Sequence, residues 1–349
     1  MSKANSLGCV GVVGAGSFGT AIANLLAINA DVVLFSRTQE VVDRINAEHR
    51  NFGVDLSSRI RATSEIEELT EHCSLIYPVV PSDNFRSMMR SLGPHLRPSH
   101  ILIHGTKGFD VHGIDEENLN GEKLLPHHIS TMSQVIAQES VVRRIGCLSG
   151  PNLASEIMEG QPTATVIGSR FDEVISLGKR SLQSEAFHVF GTADIIGAEL
   201  AGALKNIIAI GSGILMGRGL GKNIQAMLIT RGLSEMVYFG NAFGAENTAF
   251  FGTAGIGDLV ATATSKNSRN FTFGFRLGKG EDMESIQSTM PELAEGVRTL
   301  NITRRLADHY RLKLPITRML YRVVFEEFDI DEAIRYLINY PYDVDVDFL

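Results

Sequence analysis

Cysteine is scarce in this chain, and the three it has, Cys9, Cys73 and Cys147, lie far apart in sequence. Their number and spacing exclude a disulfide framework and a cysteine-based metal centre. Their apolar surroundings predict small hydrophobic side chains packed in a reducing compartment. Histidine does not supply missing ligands either. Only His127 and His128 are adjacent, and no Cys/His cluster completes a metal site, so no metal is expected. That pair reads as surface residues at a helix start. Basic charge is also in deficit: 32 Lys and Arg stand against 40 Asp and Glu, a net charge of -8. This excludes a general nucleic-acid binder, although a local basic pocket can still receive a small anion. The N-terminus lacks a basic region followed by an apolar run and cleavage site, so the chain is expected to be cytoplasmic. No internal repeat or low-complexity linker occurs.

A long uncharged apolar run is lacking as well. The nearest approach is 195–216, where Glu199 and Lys205 are the only ionised residues. Its length suits a membrane span. Two charges in mid-segment make it a buried helix of a soluble core instead, so no transmembrane segment is expected. It is glycine-rich, with Gly197, Gly202, Gly211 and Gly213 inside it and Gly217 just beyond.

What the chain does have is a short stretch near its start, Val10-Gly11-Val12-Val13-Gly14-Ala15-Gly16-Ser17-Phe18-Gly19-Thr20-Ala21. A β-branched run, read as a buried strand, passes through Gly14, Gly16 and Gly19 into a helical segment. This is G-x-G-x-x-G in the context a dinucleotide requires. Gly14 makes the tight turn, Gly16 lets a pyrophosphate approach the backbone, and Gly19 lets helix and strand pack closely. The helix N-terminus then offers N–H groups and its positive dipole end to the phosphates.

At 349 residues, 44% hydrophobic and 21% charged, the chain is an ordinary globular protein of about two domains. Strands are expected at 32–35, 60–63, 75–80, 101–104, 145–148, 163–167 and 188–190. Helices are expected at 40–48, 84–92 and 129–138, with a Ser64-x-x-Glu67 capping box opening another. Pro78 is awkward inside a strand and predicts a local irregularity. The alternation gives βαβ units and a parallel sheet with right-handed crossovers. At about Asp194 the pattern changes to helical periods alone. The fold class is therefore α/β: a Rossmann-type parallel-sheet domain over 1–193, then an all-helical domain over 194–349 that carries substrate and catalysis. The tail 342–349, alternating Asp with apolar residues, is expected to be peripheral.

In open α/β sheets ligands bind beyond the carboxyl ends of the strands. Three such ends face one crevice: Gly14–Gly19, Pro81-Ser82, and Gly105-Thr106-Lys107-Gly108. Lys107 can bring a positive charge to it. Lys205 is the sharper signal, because its helical neighbours at i±3 and i±4 are Ala201, Gly202, Ile208 and Ala209. A lysine so placed is buried or lines a pocket. Desolvation disfavours its charge and lowers its pKa, which suits acid–base work. A structural ion pair with Glu199 or another carboxylate is the alternative. Asn206 can orient a substrate oxygen. A third cluster runs through Gly257-Asp258-Leu259, Thr262, Thr264 and Ser268-Arg269-Asn270. Arg269 offers a planar fork for phosphate or carboxylate, and Asp258 can hold an ammonium or accept from a hydroxyl.

These stretches, with Val80-Pro81-Ser82, Thr106-Lys107-Gly108, Ser149-Gly150-Pro151, Leu204-Lys205-Asn206 and Thr230-Arg231-Gly232, resemble in order and spacing the NAD(P)-dependent glycerol-3-phosphate dehydrogenases of bacterial type. The resemblance runs from Val10 to about Glu327. It implies reversible hydride transfer between NAD(P)H and dihydroxyacetone phosphate, giving sn-glycerol 3-phosphate for glycerophospholipid synthesis, commonly in a homodimer. It makes Lys205 the proton donor and acceptor. Lys107, Gly150, Asp258, Ser268, Arg269 and Asn270 become substrate contacts, and Arg269 also touches the cofactor. Ser17, Phe18, Arg37, Ala154 and Glu295 lie on the cofactor side. With them we count Gly14, Gly16, Gly19, Pro81, Lys107 and Leu293, and we add Lys107, Asn206 and Asp258 to Lys205 in the catalytic set.

The chain departs from that family in two places. Asn152 stands where many members carry Thr, and is still expected to reach substrate as a donor. Pro78 replaces an aliphatic residue. The second strand ends in Ser36-Arg37-Thr38 without the acid that usually accepts ribose hydroxyls ~20 residues after the glycines. NADPH is therefore expected to serve at least as well as NADH. The alternatives are another two-domain dehydrogenase of hydroxyacid or ketopantoate type, and a non-catalytic dinucleotide sensor.

Overall fold

Most of the β-branched runs become strands of one sheet buried on both faces, which is why they show little period-2 alternation, the edge strand Phe187–Thr192 excepted. In the computed structural model, which describes residues 7–114, 124–290 and 294–341, the chain divides into two units. The first comprises Met1–Asp110 and Ser130–Ala198, the second Val111–Ile129 and Glu199–Leu349. Leu293 and the tail 342–349 lie outside the described residues.

The main sheet of the first unit has eight strands: β1 (Cys9–Val13), β2 (Val32–Phe35), β3 (Ile60–Thr63), β4 (Cys73–Pro78), β5 (Ile101–His104), β6 (Arg144–Ser149), β7 (Thr163–Gly168) and β8 (Phe187–Thr192). Their order is β8-β7-β6-β5-β4-β1-β2-β3. The chain winds outward from β1 to β3, then restarts on the other side of β1 with β4. The boundary between β1 and β4 is the topological switch point of a doubly wound sheet. The glycine loop leaves β1 there and enters α1 (Ser17–Leu26).

The sheet is not wholly parallel. Strand β7 runs antiparallel to β6, while β8 is parallel to β7. The link from β6 to β7 contains only the five-residue helix Ala154–Met158. That is too little helix to carry the chain back along the sheet, so the strand returns directly.

Pro78 causes no irregularity of its own. It is the last residue of β4, where Val79 already donates to Val13 O at 2.9 Å and Pro78 O accepts from Gly105 N. The register shift lies at the other end, between Cys9 and Val10. Three local expectations also change. The Ser64–Glu67 box does not form: Glu65 is the N-cap of Ile66–His72, its N–H held by Thr63 Oγ1, and Ser64 Oγ donates to Gln39 Oε1 instead. The helix expected from Ile129 starts at Met132, opened by Thr131 with Gln134 Oε1 on its N–H. His127 and His128 belong to a single 3-10 turn, Pro126–His128.

From Ile195 onward every described element is helical. The glycine-rich run becomes α2 (Ile195–Gly217), buried almost throughout. Its glycines serve helix contact. A Cβ on Gly213 would overlap Phe271 O, and one on Gly217 would overlap Phe275 O. From the facing helix, a Cβ on Gly274 would overlap Ile210 O. Only glycines at these positions allow the two backbones to approach so closely.

The helix α3 (Lys222–Ala242) carries a buried carboxylate, Glu235, which closes the N-terminus of another helix, Pro315–Phe325. Glu235 accepts from Ile316 N at 2.5 Å, Thr317 N at 3.0 Å and Thr317 Oγ1 at 2.7 Å. Burial raises its pKa from the usual 4.5 to about 7, and these three donors only partly oppose it. The native protein thus holds a proton there that the unfolded chain has already released. This contribution to stability is complete below about pH 4.5 and is lost as pH rises towards about 7. The denaturation midpoint should fall over that window. In Glu235→Gln, which cannot ionise, that part of the pH dependence should vanish; equal slopes in both proteins would refute it.

Candidate active site

In the first unit the glycine loop has the geometry a pyrophosphate needs. Gly14 sits at φ +115°, a conformation that side chains rarely adopt, and a Cβ there would meet Val79 O at 2.9 Å. A Cβ on Gly19 would overlap Gly14 O, so helix and strand pack closely only with glycine. Gly16 is exposed and a Cβ on it would meet nothing within 4 Å, which leaves its outer side open to a ligand. Gly16 is also the N-cap of α1, and no side chain caps that end. The first-turn N–H groups, Ser17 among them, have no intrahelical acceptor and suit an anion. These features fit a dinucleotide.

A residue that sequence reasoning missed holds this loop in place. Asn51, buried in the short hairpin Arg50–Asn51 and Val54–Asp55, donates from Nδ2 to Ala15 O at 3.0 Å and to Thr20 Oγ1 at 2.9 Å. Arg44 in turn donates to Asn51 Oδ1. Nothing local in the sequence ties Asn51 to a loop that lies 36 residues away.

Phe18 packs against the end of β5, where a Cβ on Gly105 would meet its ring at 2.9 Å. Thr106 Oγ1 donates to Val80 O at 2.6 Å and joins the ends of β4 and β5. Pro81 is the N-cap of the helix Ser82–Leu92. Lys107 is half-buried, and its Nζ donates to Gly150 O at 3.0 Å. Gly108 and Gly150 adopt φ of +132° and +130°, so each turn requires glycine. Asn152 Nδ2 donates to Thr165 Oγ1 at 2.9 Å, while its Oδ1 is buried without a partner. The group left over is an acceptor, which suits a hydroxyl better than a phosphate. Ala154 opens the helix after β6. Arg37 is exposed just beyond β2, and Ser36 Oγ accepts from Thr38 N.

In the second unit Lys205 lies on α2 and is buried at 6% exposure. Its i±3 and i±4 neighbours are apolar, and its partners come from elsewhere in the chain. Nζ lies 2.5 Å from Asp258 Oδ1 and 2.5 Å from Thr262 Oγ1. Both residues come from one short helix, α4 (Asp258–Thr264), whose first and fifth residues share a face. Thr262 Oγ1 donates to Asp258 Oδ1 at 3.2 Å. The pair is thus charge-compensated where a lone ammonium would be costly to bury.

One residue further along α2, Asn206 Oδ1 accepts from Asn270 Nδ2 at 2.9 Å. Asn270 Oδ1 accepts from Gly296 N at 2.8 Å. This buried relay joins α2, α5 (Arg269–Gly278) and α6 (Glu295–Tyr310). Ser268 caps α5 by accepting from Phe271 N, so its hydroxyl proton remains available to donate. Arg269 is exposed at the first position of that helix. Glu295 opens α6.

The comparisons with known proteins cover nearly the whole chain. The family model described as the N-terminus of NAD-dependent glycerol-3-phosphate dehydrogenase matches residues 9–174, and that of its C-terminus matches 194–335. A protein of Teredinibacter turnerae, glycerol-3-phosphate dehydrogenase [NAD(P)+], is 38% identical over 97% of this chain and 96% of its own length. One of the same name from Saccharophagus degradans is 37% identical over 97% of this chain and 92% of its own. The solved glycerol-3-phosphate dehydrogenase of Coxiella burnetii is 32% identical, covers 95% of this chain and 99% of its own, and superposes with a TM-score of 0.85.

Proposed function

Because the chain belongs to the NAD-dependent glycerol-3-phosphate dehydrogenase family, we propose that it interconverts dihydroxyacetone phosphate and sn-glycerol 3-phosphate with NAD(P)H or NAD(P)⁺. The observation that carries this reading is the buried contact of Lys205 with Asp258 and Thr262 in a chain that matches the family over both halves. When bound, NAD(P)H supplies the hydride that reaches C2. The chain's own residues bind, orient and move the proton. The N-terminus of α1, with Gly14, Gly16, Ser17 and Gly19, holds the pyrophosphate. Phe18, Arg37, Pro81, Ala154 and Glu295 complete the cofactor side. Lys205 donates its Nζ proton to the carbonyl oxygen as that oxygen becomes anionic. Asp258 keeps the ammonium in place, and Asn206 orients the substrate oxygen. Arg269, Ser268 and Asn270 hold the substrate phosphate, whose binding energy fixes C2 in position. Lys107, Gly150 and Asn152 bind the rest of the substrate. Following absorbance at 340 nm with dihydroxyacetone phosphate and each reduced cofactor tests the whole reading. No turnover with either would overturn it.

Cofactor choice follows from the end of β2. The acid nearest that strand, Asp31, lies at the wrong end and is paired with Arg59 at 2.9 Å. Residues 36–38 carry no carboxylate to repel a 2′-phosphate, and Arg37 can pair with one. NADPH should serve at least as well as NADH, and Arg37→Asp should shift the kcat/KM ratio towards NADH by roughly tenfold, the worth of one charged contact. A wild type that strongly prefers NADH, with no change on substitution, would rule this out. The family resemblance extends the proposal to a cytoplasmic homodimer feeding glycerophospholipid synthesis, which sedimentation and cell fractionation can check.

A further inference from the structure

We propose that Cys9 and Cys73 form a peroxide-responsive dithiol that closes into an intrachain disulfide. The fold brings these two residues together although 64 positions separate them. Cys9 opens β1 and Cys73 opens β4, and the two are register partners in adjacent parallel strands. Their sulfurs lie 3.4 Å apart, with the Cys73 thiol donating to Cys9 Sγ. Neighbouring strands lie about 4.8 Å apart, a Cα separation within the range that a disulfide bridges.

The two thiols are differentiated as an attacking and a resolving pair would be. Cys9 is partly exposed, so it is not the fully buried small hydrophobe that its sequence neighbours suggested, whereas Cys73 is 1% exposed. The hydrogen bond from Cys73, opposed by burial and aided by Arg61, lowers the Cys9 thiol to about 7. His72 adds to that effect and Asp31 opposes it. The same hydrogen bond and burial raise Cys73. Peroxide therefore meets a partly ionised, accessible thiolate first.

The chemistry balances with a hydroperoxide as oxidant. The Cys9 thiolate attacks the O–O bond and, with one proton taken up from solvent, gives a sulfenic acid and releases an alcohol (water, for hydrogen peroxide). The Cys73 sulfur then displaces the hydroxyl of that sulfenic acid. The S–S bond forms, the S–O bond breaks, and the Cys73 proton leaves with the departing water. Two thiols are oxidised by two electrons and one peroxide is reduced. The pair sits at the start of β1, about 15 Å along the strand from the glycine loop at a rise of about 3.3 Å per residue. Closure should therefore clamp β1 to β4 and protect Cys9 from irreversible oxidation without disturbing the cofactor loop.

The test uses the reduced full-length protein and stoichiometric hydrogen peroxide near neutral pH. The expected product has lost two hydrogens, yields a tryptic peptide pair linked through Cys9 and Cys73, and reverts with dithiothreitol. In Cys73→Ser, dimedone should trap a sulfenic acid on Cys9, and in Cys9→Ser the fast reaction should disappear. Buried Cys147 serves as the internal control and should react at least roughly tenfold more slowly. Oxidation of Cys9 to sulfinic acid with no linked peptide would overturn the proposal. So would oxidation of Cys147 at the same rate, or no reaction of the wild type.

Discussion

Lys205→Met should lower kcat by roughly 10²–10⁴-fold, the usual contribution of a general acid–base group. A thioether has the length to fill the apolar part of the Lys205 site. It also takes the ammonium away from Asp258, a carboxylate only 1% exposed that Thr262 Oγ1 still contacts. Removing one member of a buried ion pair typically costs about 3–5 kcal/mol. The single variant should therefore be both inactive and less stable, and inactivity alone would not separate catalysis from structure. Adding Asp258→Asn removes the buried negative charge as well, and the double variant should regain most of the lost stability. If Lys205 carries the proton, activity stays lost in the refolded double variant. A double variant that recovers both stability and turnover would reduce the pair to a structural bridge. Denaturation midpoints and kcat measured on the three proteins decide between these outcomes.

The sheet was legible because its strands are short β-branched runs bounded by Gly, Pro and Ser, and because βαβ alternation admits few topologies. The glycine loop was legible for a related reason: at Gly14 and Gly19 a side chain has no room, so the backbone dictates the residue. Direction was harder to read than existence. Nothing in Thr163–Gly168 shows that it runs against β6, since a strand's residues carry no sign of its neighbour's polarity. In the helical unit, the apolar neighbours of Lys205 marked it as buried, but they could not reveal what it touches. Asp258 and Thr262 arrive from more than 50 residues away. Asn51 was invisible for the same reason, and so was the meeting of Cys9 with Cys73. Local pattern specifies elements and exposes residues in unsuitable surroundings. The partner that resolves each anomaly is set by tertiary packing. The glycines of α2 show the limit well: the sequence marked the segment as a buried helix, but only the backbone of the helix Arg269–Gly278 supplies the reason for Gly213 and Gly217.

Arg269→Ala should weaken use of dihydroxyacetone phosphate by roughly 10–150-fold in kcat/KM, the equivalent of losing about 1.5–3 kcal/mol in a charged hydrogen bond. Arg269 heads the ten-residue helix α5 directly after its cap, Ser268. An anion placed there meets the guanidinium fork and the N-terminal N–H groups of the helix together. The hydroxyl of Ser268 still has its proton to give. Unphosphorylated dihydroxyacetone has the same carbonyl but nothing for this corner to grip. Its already low kcat/KM should therefore fall much less in the variant, and the discrimination between the two substrates should collapse towards the ratio set by the remaining contacts. Arg269→Lys restores charge without the planar fork and should recover only part of the loss. Salt supplies a further readout: an exposed arginine is screened, so the wild-type advantage for the phosphorylated substrate should shrink as ionic strength rises. If Arg269→Ala instead lowers activity equally with both substrates, the arginine acts through the cofactor or the fold, and the phosphate must be held elsewhere.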